Sequence, residues 1–434
     1  MELETAQSVV YITSTAAIAL VLVLLAIACL REVHWWPRRL TQSSRKGWRR
    51  PLWALTGPDE EASAPWAPGR AERLWIFFVA VLSQWLIVWT GHLLAGWSQS
   101  DFLARVWERF TTAGDAPHYL WLAENGYATS GEEAMYIVFY PLYPALIRAL
   151  TGLLGGLENA YALCGMVISQ VCFGLASVEM VRLAGRYLPR ERVLTVLAAW
   201  LMYPFVFFCF GVYTEGLFMW LSLLTLRLLE ERRWVAAGLA GMLAALCRTQ
   251  GVALLFPAVL CWLRQPKGTR RQWSALALLG IPLGFGLYLL CNRLVCGDWF
   301  AYLAYQSAPP WYNTAHWIGE NLATQLGVAV ENPWLAGIIY IPQLVLYFVG
   351  LLAAAGLLLR RRALPVVLYS VAYLGMSYLH GWMISGGRYM LGCYALFLSV
   401  ATVKRRWVRV PLLAAEFAAL VYMATAYMQS QAIM

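Results

Sequence analysis

Residues 9–30 read "VVYITSTAAIALVLVLLAIACL", and residues 31–51 read "REVHWWPRRLTQSSRKGWRRP". The first stretch carries no charge and, as a helix, is about 33 Å long, enough to cross a hydrocarbon core of roughly 30 Å. The arginines that follow it mark a cytoplasmic flank. No basic stretch precedes the apolar run and no small-residue cleavage site follows it, so it predicts a retained span and not a cleaved leader.

The pattern recurs along the chain. Apolar runs near 74–97, 160–181, 193–212, 216–230, 234–247, 251–263, 273–296, 334–359, 363–382, 388–403 and 410–428 bring the expected number of spans to about 12. Those near 234–263 are short and predict broken or tilted helices. Composition agrees: 61% of the 434 residues are hydrophobic and 13% are charged. A soluble domain has about 45–50% apolar and about 25% charged residues, because a water-facing surface needs charge. The 22 Trp and 23 Tyr suit the headgroup zone. The expected fold is an all-α polytopic membrane protein of about 11–12 spans.

Charge sets the direction. Of the 33 Lys and Arg residues, 26 fall in the alternate segments 31–73, 182–192, 231–233, 264–272, 360–362 and 404–409. These segments read as cytoplasmic, which puts both termini outside. The net charge of +10 is therefore a topology signal, and no nucleic-acid partner is expected. The organisation reads as an extra span at 1–30, a basic Ser- and Pro-rich linker at 31–73, and a membrane domain at 74–434 with a long outward loop at 98–158. The brevity of the chain reads as bacterial, and the plasma membrane is its expected place. No internal repeat, GxGxxG or Walker motif is present. The nine cysteines form no CxxC pair or zinc spacing and read as small apolar residues; Cys291 and Cys296, near the outer face, leave another role open.

The outward loop reads "DFLARVWERFTTAGDAPHYLWLAENGYATSGEEAMYIVFYPLYPALIRAL" from Asp101 to Leu150. Its helical spacing predicts short helices on the membrane surface, and Pro141 and Pro144 predict a turn back into the bilayer. Asp115 sits among apolar and aromatic neighbours, where a carboxylate can take a proton from an attacking hydroxyl. The plainer reading is a solvated acid. His118 shares its helical face and can orient a phosphate or the acid, or serve as a structural histidine. One D-x-x-H is at most half of a metal site, so no metal is expected, although a divalent ion is left open.

Four stretches resemble the GPI mannosyltransferase II-like (PIG-V-like) family of GT-C membrane glycosyltransferases, in that family's order. They are "GDAPHYLWLAENGY", "FYPLYPALIRAL", "YTEGLF" and "CRTQG". "GDWFAYLAYQSAPPW" at 297–311 and "GGRYML" at 386–391 are fainter echoes, and the resemblance spans about residues 73–403. Two positions depart from it. Gly114 stands where the family usually has Trp, and Gly216 stands where it has the second Ser of Tyr-Ser-Glu-Ser; the latter hints at a different acceptor.

The resemblance implies a polyprenyl-phosphate-mannose donor held at the outer face of the bilayer. It implies inverting transfer to a hydroxyl, with Asp115 as the general base. Since bacteria make no GPI anchors, the acceptor is expected to be another glycan, lipid or protein. A leaving phosphate needs cationic or hydrogen-bonding neighbours, and of the six arginines outside the basic segments (Arg105, Arg109, Arg148, Arg248, Arg293 and Arg388) Arg248 and Arg388 are the leading candidates, with His118 beside them. An arginine at membrane depth is a functional candidate by default; snorkelling to the interface is the alternative. Glu215, Tyr140, Tyr143, Trp311 and Gln306 are expected to meet the acceptor or sugar, with Tyr312 and Asp298 as weaker candidates. The competing readings are a secondary transporter or lipid-linked-sugar flippase, for which Glu179 and Glu215 are the intramembrane acids, and a structural subunit without chemistry of its own.

Overall fold

The computed structural model describes residues 2–33, 66–154, 159–265, 272–359, 363–381, 384–431 and 433. Most of the 31–73 linker and the basic segments 266–271 and 360–362 lie outside the described residues. Among those described, every element is helical apart from an isolated bridge between Ala315 and His380.

The helices are α1 (Glu2–Glu32), α2 (Arg70–Leu94), α3 (Phe102–Thr112), α4 (Ala116–Asn125), α5 (Leu142–Leu153), α6 (Ala160–Ala184) and α7 (Arg190–Leu201). Then come α8 (Glu215–Glu230), α9 (Trp234–Cys247), α10 (Leu255–Leu263), α11 (Gln272–Leu278), α12 (Gly280–Cys296), α13 (Ala301–Ser307) and α14 (Ile318–Glu331). The last are α15 (Pro333–Leu359), α16 (Leu364–Tyr378), α17 (Gly386–Tyr389), α18 (Tyr394–Val400) and α19 (Arg406–Met428).

Among the described residues, five of these helices, α1, α2, α6, α15 and α19, are long and apolar enough to cross a membrane. The count rises to 7 if two bent pairs each make one span: Glu132–Val138 with α5, bent by 109°, and α12 with α13, bent by 82°. The chain is thus an all-α polytopic membrane protein, but several expected spans are interrupted. The run 193–212 stops as a helix at Leu201, because Pro204 offers no amide hydrogen and the chain winds on through a 3₁₀ turn at Val206–Cys209. The run 388–403 divides into α17, a 3₁₀ turn at Met390–Gly392 and α18. These segments are apolar because protein surrounds them: Val206, Phe207, Cys209 and Phe210 are fully buried. An apolar run alone does not distinguish burial in protein from burial in lipid.

Small residues bring the central helices close. A Cβ on Gly216 of α8 would lie 2.4 Å from the Ser169 carbonyl of α6, so this glycine serves helix contact and does not line the site. Gly280 and Gly284, spaced as in GxxxG, press α12 onto α9, where a Cβ on Gly284 would lie 2.0 Å from the Met242 carbonyl. The N-terminal helix packs along α14 and α15: Tyr347 donates to the Ser14 carbonyl at 3.1 Å, and Trp317 donates to Thr15 Oγ1 at 2.9 Å.

The described basic residues of the alternate segments gather at one end. Arg190 meets Glu72 at 2.8 Å, Arg192 donates to the Val403 carbonyl at 2.9 Å, and Arg264 lies 3.4 Å from Glu32. Glu179 is buried there against Arg227, with Arg182 at 3.0 Å. The opposite end carries α3, α4 and the end of α19, where Arg109 donates to the Tyr427 carbonyl at 2.9 Å. A further acid lies within a span. Glu416, within α19, has a buried Oε2 with no hydrogen-bond partner among the described residues.

Candidate active site

Four helix boundaries converge at the end of the bundle away from the basic segments. Asp115 occupies the position before α4, whose first turn begins Ala-Pro, and its carbonyl accepts from the Tyr119 amide at 3.2 Å. Thr214 and Glu215 open α8. Arg248 is extended, with φ −155° and ψ 149°, between α9 and the 3₁₀ turn Thr249–Leu254. Arg388 lies in the single turn α17. An extended residue and a four-residue helix point side chains where a continuous helix would not. Asp115, Arg248 and Arg388 share a cavity of about 320 Å³.

The four charged side chains alternate in sign. Arg388 Nη2 donates to Asp115 Oδ2 at 2.7 Å. Arg248 Nη1 donates to Glu215 Oε1 at 2.5 Å and to Thr214 Oγ1 at 3.2 Å. Arg388 Nε lies 3.1 Å from the same Glu215 oxygen, within ion-pair distance but misaligned for a hydrogen bond. The guanidinium of Arg388 also lies 5.3 Å from the Phe208 ring centre and 5.4 Å from that of Tyr213, while Arg248 lies 5.2 Å from that of Tyr389. Buried ions are retained when they are paired and hydrogen-bonded in this way. The side chain of Glu215 is 4% exposed and that of Asp115 is 27% exposed. Asp115 is therefore the acid that reaches the cavity, and Glu215 stands behind the two arginines, outside the cavity wall. Its expected contact with an acceptor is replaced by a contact with both cations.

Gly114 explains its own identity. Its φ is +58°, and a Cβ there would lie 2.8 Å from the Tyr213 hydroxyl, which donates to the Ala113 carbonyl at 2.9 Å. A tryptophan at this position would be strained and would collide with Tyr213.

The remaining wall is neutral. The His118 ring stacks on Phe139 at 5.1 Å and meets Trp311 edge-on at 5.7 Å. Burial lowers the pKa of His118, and Asp115 opposes this more weakly. The shift favours the neutral ring, which can meet a donor phosphate as a hydrogen-bonding group rather than as a third cation beside the arginines. Its Nδ1, the Trp311 Nε1 and the Asn313 Oδ1 are buried without hydrogen-bond partners among the described residues. Tyr140 and Gln306 line the cavity too; the Tyr140 hydroxyl bonds Thr249 at 2.6 Å and its ring stacks on Tyr288. Tyr143 does not line it: this residue is fully buried, with its hydroxyl 2.9 Å from the Gly165 carbonyl and 2.7 Å from Ser169. Tyr312 and Asp298 are exposed and lie outside the cavity wall.

The other outward arginines are occupied or stand apart. Arg105 stacks over Trp97 at 3.9 Å, Arg109 stacks over Tyr427 at 4.6 Å, and Arg148 and Arg293 are exposed. The sequence reading passed over Tyr213, Thr249, Asn313 and His380, all of which line the cavity. Tyr213 and Thr249 sit inside the stretches "YTEGLF" and "CRTQG"; Asn313 and His380 carry no local signal. Among the described residues no three His, Cys, Asp or Glu side chains gather as a metal site. Cys291 and Cys296 are half-buried and free.

No protein-family model matches the chain, and no curated protein does. Solved structures similar to it include the following. One is the oligosaccharyltransferase of Archaeoglobus fulgidus in the apo form, at 13% identity and a TM-score of 0.46, covering 83% of this chain and 56% of that one. The other is the archaeal oligosaccharyltransferase AglB of Archaeoglobus fulgidus in complex with an inhibitory peptide and a dolichol-phosphate, at 11% identity and a TM-score of 0.40, covering 82% of this chain and 55% of that one. The chain spans a little over half the length of these structures.

Proposed function

We propose that this chain is a membrane glycosyltransferase of the GT-C type, which moves a mannose-type sugar from a polyprenyl-phosphate carrier to a hydroxyl acceptor with inversion. One observation carries the reading: a partly exposed carboxylate, Asp115, faces a cavity beside two arginines that are both within ion-pair distance of the buried Glu215. Asp115 accepts the proton as the acceptor oxygen bonds to the anomeric carbon. The carbon–oxygen bond to phosphate breaks, and its electron pair leaves with the polyprenyl phosphate. Arg248 and Arg388, which both line the cavity, stabilise that leaving anion, which needs no proton of its own to depart. His118, Trp311, Gln306 and Tyr140 hold neutral, hydroxyl-bearing rings.

The donor's lipid tail stays in the bilayer, which explains why such a site stands at the end of a membrane bundle. The resemblance in sequence supports the choice of mannose. The concentration of described basic residues at the other end, with the alternation of basic segments along the sequence, supports a cavity facing outward in a bacterial plasma membrane, with both termini on its side. The acceptor is a glycan, lipid or protein of the cell surface.

The test uses the purified chain in lipid discs with radiolabelled polyprenyl-phosphate-mannose, and reads release of polyprenyl phosphate, including slow hydrolysis. The parent is expected to turn over. Asp115→Asn is expected to lower turnover by roughly 10²–10⁴-fold while still binding donor. Equal turnover by both proteins would overturn the role of Asp115, and failure to bind any polyprenyl-phosphate sugar would overturn the transferase.

A transport reading keeps one specific observation in its favour, the unpartnered Glu416 within α19. Glu179 and Glu215, the other acids that the transport reading offers, are both paired with arginines. Proton-coupled uptake of a lipid-linked sugar into vesicles, lost in Glu416→Gln and kept in Asp115→Asn, would favour transport over transfer.

A further inference from the structure

The single turn that carries Arg388 is too short to hold itself, and the question is what fixes it. Two glycines open it, and hydrogen bonds from other elements tie its backbone down. The Gly387 carbonyl accepts from the Tyr203 hydroxyl at 2.7 Å, and the Gly386 amide donates to Gln343 Oε1 at 3.1 Å. Gln343 comes from α15, within a span, and is fully buried. Its own Nε2 donates to Gln325 Oε1 of α14 at 2.6 Å, and its carbonyl accepts from Tyr378 of α16 at 2.8 Å. A run of amides therefore leads from α14 through α15 to the backbone two residues before Arg388.

The placement of Gln343 has a visible cause. Residues Ala336–Tyr340 form a π turn just before it. Such a turn adds one residue to the helix and rotates everything after it by about 100°. Without that rotation the amide would leave this face of α15. A glutamine inside a membrane span is costly unless both ends of its amide are bonded, and here each end has a partner.

We propose that Gln343, set by the π turn and braced by Gln325, is the positioning residue that holds α17 so that Arg388 meets both Asp115 and Glu215. It touches no substrate and acts through the Gly386 amide. The proposal rests on the transferase reading for its kinetic arm and on the structure alone for its exchange arm.

The experiment compares the parent with Gln343→Met, which keeps the length and loses both bonds, and with Gln343→Glu, which keeps the oxygen that accepts from Gly386. Turnover of polyprenyl-phosphate-mannose is measured alongside hydrogen–deuterium exchange of the peptide covering 384–392. Gln343→Met is expected to lower kcat by roughly 10–100-fold, the range for small misplacement of a reacting group, and to leave the donor KM within about twofold. It is also expected to speed exchange at the 386–389 amides. Gln343→Glu is expected to stay near the parent in exchange. Parent-like kcat and exchange in Gln343→Met would overturn the proposal, as would equal losses in both variants, which mark a merely structural residue. If Gln343→Met fails to fold, Gln325→Met, which removes the brace, decides by the same two readouts. If the parent does not turn over this donor, exchange by itself decides on Gln343, and the transferase reading is judged separately by whether any polyprenyl-phosphate sugar binds.

Discussion

Arg388 Nη2 donates to Asp115 Oδ2 across 2.7 Å, although 273 positions separate the two residues in the chain. The bond joins the start of a short helix in the outward loop to a strap between two spans late in the sequence. Arg388 faces a second acid at 3.1 Å, and that acid holds Arg248. The four charges cancel, so the site is neutral before a donor enters. Its energetics therefore depend on every member being present.

Arg248 and Glu215 test that dependence. Arg248→Ala leaves Glu215, 4% exposed, with Arg388 as its remaining partner. Loss of one partner of a buried pair is expected to cost about 3 kcal/mol, read as a fall in the thermal unfolding midpoint in detergent. Arg248→Lys keeps the charge but loses the planar fork. It is expected to recover most of the stability and to raise the donor KM by about tenfold. Equal stability of Arg248→Ala and the parent would sink the account of the charge chain.

Gly114→Ala is expected to destabilise the chain by about 1–3 kcal/mol from backbone strain at φ +58° alone. The added methyl also collides with the Tyr213 hydroxyl, and the clash shifts Asp115 next door. Tyr213→Phe removes the hydroxyl but not the strain. In a double-mutant cycle on unfolding, Gly114→Ala should cost less when combined with Tyr213→Phe than in the parent. A coupling of zero would mean that the contact contributes nothing.

His118 and His380 both line the cavity, and burial lowers the pKa of each, with Arg248 adding to the effect at His380. The folded chain therefore favours the neutral rings. Above about pH 6.5, the usual histidine value, both folded and unfolded chains carry neutral rings, and their contribution to stability is full. As pH falls below it, the unfolded chain takes up protons first, and that contribution is lost toward the depressed folded pKa values. Unfolding midpoints from pH 7.5 to 5 should fall, and His118→Gln should fall less steeply. Identical slopes would show that His118 is not held neutral.

Gly319 tests the N-terminal helix. A Cβ there would lie 2.6 Å from Thr15 Oγ1 and 3.0 Å from the Tyr11 carbonyl. Gly319→Val is expected to push α1 off α14 and lower the unfolding midpoint by several degrees, whereas Gly356→Val, at a helical position with open space, should lower it less. An equal effect at both sites would mean that only helix propensity is being read.

Much of this protein is legible in the residues themselves. Uncharged runs such as 9–30, the collected Lys and Arg, and the surplus of apolar residues require helices in a bilayer, because no water-facing surface can be made from them. Asp115 was legible as an acid among apolar neighbours, and Arg248 as a cation between two short apolar runs. These are local signals, readable over a few residues.

The tertiary structure decided the rest. An apolar run looks the same whether lipid or protein surrounds it, so the breaks at Pro204 and just after α17 emerged only with packing, whereas the interruption at Arg248 follows from the two short runs beside it. Glu215 was legible as polar and near the site, but packing placed it behind Arg248 and Arg388, away from the cavity. Gly114 looked like a departure from a pattern until its φ and the Tyr213 hydroxyl gave it a reason. Asn313, His380 and Gln343 carry no local signal, because their significance lies in which distant backbone or side chain faces them. Sequence spacing determines which residues share a helix face, whereas partners from different helices meet only through the packing of the whole bundle.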